Sequence, residues 1–117
     1  MVAIIEDDEP YCAALQRLLK TEDISARCFG SAEDFLNSGL QSETRCLIAD
    51  IRMPGMSGLD LQSRLNSKHC YVPTIFITAH GDEKMRLQAM RAGAVKFLMK
   101  PFDSDTLLEA VRVALAS

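Results

Sequence analysis

Cys46-Leu47-Ile48-Ala49-Asp50-Ile51-Arg52-Met53-Pro54-Gly55-Met56-Ser57-Gly58 is the stretch on which the fold turns. Its first four residues form an apolar run, and Pro54, Gly55 and Gly58 bound it as loop residues, so Cys46–Ala49 reads as an interior strand. Asp50 closes that strand. In open α/β sheets the carboxyl ends of the strands form the rim on which ligands sit, so a carboxylate here is placed for chemistry. Two more strands deliver matching groups to the rim. Val2–Ile5 ends in Glu6-Asp7-Asp8, and Thr74–Ile77 ends in Thr78. A further strand, Lys96–Met99, ends in Lys100-Pro101.

The elements between these strands alternate. Pro10–Lys20 reads as a helix with Pro in its first turn, where the missing N–H costs nothing. Ile24–Phe29 is a strand. Ser31 is an N-cap for a short helix, Ala32–Asn37, with Glu33 and Asp34 in its first turn. A helix runs from Leu59 to about Asn66, with Leu61 and Leu65 four apart. Glu83–Arg91 is helical and stops at Ala92-Gly93. The last helix starts at its N-cap Asp103, runs to about Ala114, and carries Leu107, Leu108, Val111 and Leu115 on one face. Five β/α repeats with short links imply an α/β fold: a five-stranded parallel sheet with helices on both faces.

The length of 117 residues fits one domain spanning the chain, 1–117. No window approaches the roughly 18 uninterrupted apolar residues of a membrane span. No basic segment followed by an apolar stretch opens the chain, so no signal peptide is expected. Cys12, Cys28, Cys46 and Cys70 are scattered, without a C-x-x-C pair or a His at metal spacing, and read as reduced thiols of a cytoplasmic protein. The net charge is −3. Setting aside Glu6, Asp7 and Asp50 leaves thirteen acids against thirteen bases. That balance gives no sign of direct nucleic-acid binding.

Carboxylates brought within a few ångströms repel one another and call for a cation. Oxygen ligands with few protein donors favour Mg2+. Asp50 is then either a metal ligand alone or also a nucleophile able to form an acyl phosphate. In the second case Thr78 and Lys100 supply a hydroxyl and a cation for the phosphoryl oxygens.

Four segments carry a resemblance over essentially the whole chain: Ile5-Glu6-Asp7-Asp8-Glu9-Pro10, Ala49 through Gly58, Ile77-Thr78-Ala79 and Phe97-Leu98-Met99-Lys100-Pro101-Phe102. Together they resemble the CheY-like receiver domains of two-component response regulators. The resemblance implies the doubly wound, flavodoxin-like strand order 2-1-3-4-5, Asp50 as phosphoacceptor and Asp7 as direct Mg2+ ligand. It implies Glu6 acting on the metal through water and Arg52 lending its backbone carbonyl. Asp8 reads as a spare acid, although a one-residue shift in the end of the first strand would make Asp7 and Asp8 the pair. Thr78 and Lys100 would bind the phosphoryl group, and the Lys100-Pro101 bond would be cis.

In such domains an aromatic three residues before the lysine turns inward after phosphorylation. Here that residue is Phe97, without a hydroxyl, so the switch would rest on packing. Arg52 and His80 fall two residues after Asp50 and Thr78 and would flank the phosphoryl group, where they can tune its hydrolysis. Met85, Leu87, Ala89, Met90 and Ala92 give the fourth helix more apolar positions than one buried stripe needs. A phosphorylation-dependent homodimer through the fourth helix, strand five and fifth helix is the corresponding expectation. The implied donor is a sensor histidine kinase, and the chain would be a signalling switch, not a turnover enzyme.

The wording of Met53–Gly58, Thr78–Asp82 and Ala89–Ala94 is most similar to receivers fused to LuxR-type helix-turn-helix domains, which points to control of transcription. A stand-alone receiver is the other possibility. A flavodoxin is disfavoured because Glu6-Asp7-Asp8-Glu9 would repel a phosphate after strand one. A haloacid-dehalogenase-like phosphatase would need an Asp-x-Asp there, and Asp7 is followed two positions on by Glu9.

Overall fold

The computed structural model describes residues 1–116, so Ser117 lies outside the described residues. Its strands are β1 (Val2–Ile5), β2 (Ala26–Phe29), β3 (Cys46–Asp50), β4 (Thr74–Thr78) and β5 (Lys96–Met99). They pair in parallel in the order β2-β1-β3-β4-β5, as expected. The helices are α1 (Glu9–Lys20), α2 (Ala32–Asn37), α3 (Gly58–Ser67), α4 (Glu83–Arg91) and α5 (Ser104–Leu115).

Alternation along the strands builds two cores. Val2, Ile4, Ile48, Ile75 and Ile77 face α1 and α5, where Leu15, Leu19, Leu107 and Val111 are buried. Ala3, Ile5, Leu47, Ala49 and Phe76 face the opposite layer, with Phe35 of α2, Leu61 of α3 and Ala89 of α4. Every residue of β1, β3 and β4 is buried, because helices cover both faces of the three inner strands. Among the described residues no helix is long and apolar enough to cross a membrane.

Most element ends fall within two residues of the sequence reading, and the departures have local causes. Helix α1 starts at Glu9 because Asp8 caps it, its Oδ1 accepting from Tyr11 N at 3.2 Å. Strand β2 starts at Ala26, not Ile24. Asp23 takes a positive φ of 59°, and Ile24 N still donates to Leu19 O, so this segment closes α1 before the strand begins. Ser57 caps α3 in a reciprocal box with Asp60, which places Gly58 in the first turn. Asp103 stands at the N-cap of α5 but makes no side-chain capping hydrogen bond. A short 3-10 turn at Gln41–Glu43 had no sequence signal.

The cysteines require a correction. Cys12 of α1 and Cys28 of β2 form a disulfide with a Cα–Cα distance of 6.2 Å, whereas Cys46 and Cys70 are free. The pairing arises from the packing of α1 against the edge strand.

Candidate functional site

Parallel pairing brings the ends of four strands to one rim. Asp50, the last residue of β3, stands opposite Ile77 in the register of β4, and Glu6 follows β1 on its other side. Glu6 and Asp50 are 2% and 7% exposed, so two carboxylates are nearly withdrawn from water, while Asp7 stays exposed. One carboxylate oxygen from each of Glu6, Asp7 and Asp50 lies within 4.8 Å of the others. This hard, all-oxygen set suits a small divalent cation. Asp8 does not join it, being used as the cap of α1.

Lys100 enters from β5. Its Nζ donates to Glu6 Oε2 and to Asp50 Oδ2, each at 3.2 Å. The Lys100-Pro101 bond is cis. Thr78 is fully buried, and its Oγ1 accepts from His80 N at 3.3 Å. The Arg52 and His80 side chains were expected near the mouth. The structure links their loops, with Arg52 Nε donating to the His80 carbonyl at 3.0 Å. Arg52 N also donates to Asp50 Oδ1 at 3.0 Å, which fixes the rotation of that carboxylate. Phe97 is half-buried and packs on the core beneath α4.

One ammonium cannot balance the cluster, and the excess charge shows in Glu6. Burial first, then hydrogen bonding with Asp50 and its charge, push the Glu6 carboxyl up to about 7, against the pull of Lys100 and the Asp8 N–H. For Lys100, burial opposes the ammonium, but the bond to Asp50 and the charge of Glu6 outweigh it and hold the group above the ordinary lysine value. The sign for stability follows from linkage. Glu6 holds its proton more tightly folded than unfolded, so its contribution is complete below the ordinary value of 4.5 and is lost as pH rises through about 7. In metal-free buffer with EDTA, the melting temperature of Glu6→Gln is therefore expected to fall less than that of wild type between about pH 5 and about pH 8. Parallel melting curves over that range would show that Glu6 carries no raised pKa.

Three contributors escaped the sequence reading. Tyr11, in the first turn of α1, lies under the ammonium, with Lys100 Nζ 4.2 Å from its ring centroid. Contacts of this kind stabilise by about 0.5–2 kcal/mol. Glu33 of α2, read only as a complement to the helix dipole, accepts from Met56 N at 3.2 Å and anchors the loop after Asp50. Gly58 leaves room for the Asp50 carbonyl, since a Cβ there would lie 2.5 Å from that oxygen. In the sequence Gly58 reads as a loop residue after the strand, within the Ala49–Gly58 segment, with no sign of this close approach.

The family model of the response regulator receiver domain matches residues 2–112. The chain belongs to that family. Among curated proteins it is 45% identical over 115 residues to the response regulator protein TodT of Pseudomonas putida, covering 98% of this chain and 51% of TodT. It is 43% identical over 114 residues to nodulation protein W of Bradyrhizobium diazoefficiens, covering 97% and 50%. This receiver domain thus spans about half the length of those relatives. Among solved structures, FixJ-N superposes with a TM-score of 0.87 at 38% identity, covering 98% of this chain and 92% of the other. The response regulator StyR gives 0.91 at 40%, covering 98% and 58%.

Proposed function

We propose that this chain accepts a phosphoryl group from the phosphohistidine of a sensor histidine kinase onto Asp50, with Mg2+, and changes shape to control an output. The supporting observation is the Asp50 carboxylate itself: oriented by Arg52 N, paired to Lys100 and clustered with Glu6 and Asp7 at the rim. An Asp50 oxygen attacks phosphorus, the P–N bond to the donor imidazole breaks, and the imidazole takes a proton. Glu6, Asp7, Asp50 and the Arg52 carbonyl would hold Mg2+, which when bound neutralises phosphoryl oxygens. Lys100 and Thr78 take the remaining oxygens. Arg52 and His80 tune hydrolysis of the product from the mouth. The chain is modified and slowly reset in this reading, so it is a signalling switch and not a turnover enzyme.

The phosphoryl group adds about −1.5 to −2 charge, which draws the Thr78 hydroxyl toward it. Phe97 then follows by packing alone. The surface that reports the change is α4, β5 and α5, where Leu87, Met90, Met99 and Val113 are exposed. Large exposed apolar side chains on these three elements suit a protein partner, and a second copy of the domain is the partner proposed here. Its dimerisation constant, measured by analytical ultracentrifugation, is expected to tighten at least about tenfold with the acyl-phosphate analogue beryllofluoride. Equal constants with and without the analogue would remove the dimer from the proposal.

The curated relatives named above are about twice as long as this chain. That extra length leaves room for a second domain, and the resemblance of Met53–Gly58, Thr78–Asp82 and Ala89–Ala94 to receivers fused to LuxR-type helix-turn-helix domains supports an output through DNA binding, with transcription in the cytoplasm as the regulated process. The acceptor chemistry is tested by intact mass after incubation with acetyl phosphate. One phosphoryl adduct that requires Mg2+ supports it, and no adduct on folded protein overturns it.

A further inference from the structure

Cys12 and Cys28 have no part in the acceptor chemistry, yet they are arranged for chemistry of their own. Cys12 is 2% exposed on the inner side of α1, and Cys28 is half-buried on β2. Their Cα atoms are 6.2 Å apart, inside the usual range of about 4.4–6.8 Å for a bridged pair. Both line a surface cavity of about 250 Å3, together with Glu6, Glu9 and Gln16. The other two thiols differ. Cys46 is fully buried in β3, its thiol pushed up to about 12 by burial, and Cys70 sits apart in the loop before β4.

We propose that Cys12 and Cys28 form a reversible oxidative modification site whose oxidant is a small uncharged peroxide admitted through this cavity. The acidic rim selects the oxidant. The exposed Glu9 at the cavity mouth disfavours anionic disulfides such as oxidised glutathione, but it does not repel hydrogen peroxide. The half-exposed Cys28 reacts first. Its sulfur attacks one peroxide oxygen, the O–O bond breaks, water leaves, and a sulfenic acid forms. Cys12 sulfur then displaces that oxygen as a second water, and the S–S bond closes. Two thiols and one peroxide give one disulfide and two waters, with two electrons passing from sulfur to oxygen. A dithiol reductant returns the pair to thiols by exchange.

Closure ties the first half of α1 to the edge strand β2, which neighbours β1 in the sheet. The cross-link spans 16 residues of chain, and a loop of that size restricts the unfolded state substantially. The oxidised domain is therefore the more stable form. A pair of this kind in a reducing compartment is closed only transiently, which is how a redox input behaves.

The test needs no phosphoryl transfer. Fully reduced protein is treated with graded hydrogen peroxide, denatured, alkylated with N-ethylmaleimide and weighed intact. Before peroxide all four cysteines take up maleimide. After it two are expected to be protected, with loss of two hydrogens, a Cys12–Cys28 cross-linked peptide on digestion, and full recovery in dithiothreitol. The oxidised wild type is expected to melt about 10 °C above the reduced one, and Cys28→Ser to show no such difference. Four maleimides after peroxide, a cross-link through Cys46 or Cys70, or protected thiols in Cys28→Ser would each overturn the assignment.

Discussion

Asp50→Asn is expected to leave the domain folded and to abolish the phosphoryl adduct. The amide nearly matches the carboxylate in size, so the strand end and the Arg52 N–H contact at 3.0 Å can persist through its carbonyl oxygen. What disappears is the nucleophile and one negative charge beside Glu6. Loss of the attacking group should reduce adduct formation from acetyl phosphate by at least about a hundredfold, measured by intact mass. The stability effect should have the opposite sign. Asp50 is among the causes that raise the Glu6 carboxyl, so its neutralisation relieves a buried repulsion. The substitution also gives up the Lys100 Nζ bond to Asp50 Oδ2, but Lys100 keeps its bond to Glu6 Oε2 at 3.2 Å, so metal-free Asp50→Asn should melt no lower than wild type. The two readouts together separate acceptor from scaffold. An adduct formed by Asp50→Asn at the wild-type rate would move the acceptor elsewhere, with Asp7, the exposed acid of the cluster, as the first place to look.

The gathering of these groups at one rim was legible because it rests on strand ends. Apolar runs that stop at Glu6, Asp50, Thr78 and Lys100 declare both the strand and the group it delivers, and parallel pairing does the rest. Where a reading depended on two segments meeting, the sequence carried no signal. Tyr11 follows a helix-starting proline and looks like any core aromatic, and only the arrival of β5 puts Lys100 over its ring. Cys12 and Cys28 are separated by an entire helix–turn unit, so no spacing rule pairs them. Ile24 has the apolar character of a strand residue, which places the start of β2 two residues early in the sequence, while its backbone is held by Leu19 at the end of α1. Helix α4 was the ambiguous case. Its apolar side chains suited a core as well as a surface, and the structure buries Ala89 and leaves Leu87 and Met90 exposed.

Gly58→Ala should be the most damaging small substitution outside the carboxylates. Gly58 opens α3 while its N–H donates to Ile51 O at 3.0 Å, which folds the loop back onto the end of β3. A methyl group there would meet backbone on every near side: 2.5 Å from the Asp50 oxygen, 3.2 Å from the Asp50 carbonyl carbon and 3.2 Å from Ile51 Cα. No rotamer relieves contacts between a Cβ and backbone atoms, so either α3 or the end of β3 must move. Overpacking of this kind costs about 1–3 kcal/mol, and a rigid backbone on both sides puts the expected loss at the upper end. The same shift displaces Asp50, and misplacement of a reacting group by about 1 Å can slow a reaction about a hundredfold. Gly58→Ala is thus expected to lose both stability, in urea titration, and the rate of phosphorylation by acetyl phosphate. Gly30→Ala is the matched control, because a Cβ there meets only Asp34 Oδ2 at 3.8 Å. It should change stability by no more than about 0.5 kcal/mol and leave the phosphorylation rate unaltered. If Gly58→Ala behaved like Gly30→Ala, the turn after Asp50 would be soft enough to absorb a methyl group, and the placement of Asp50 would have to come from Arg52 N and Lys100 instead.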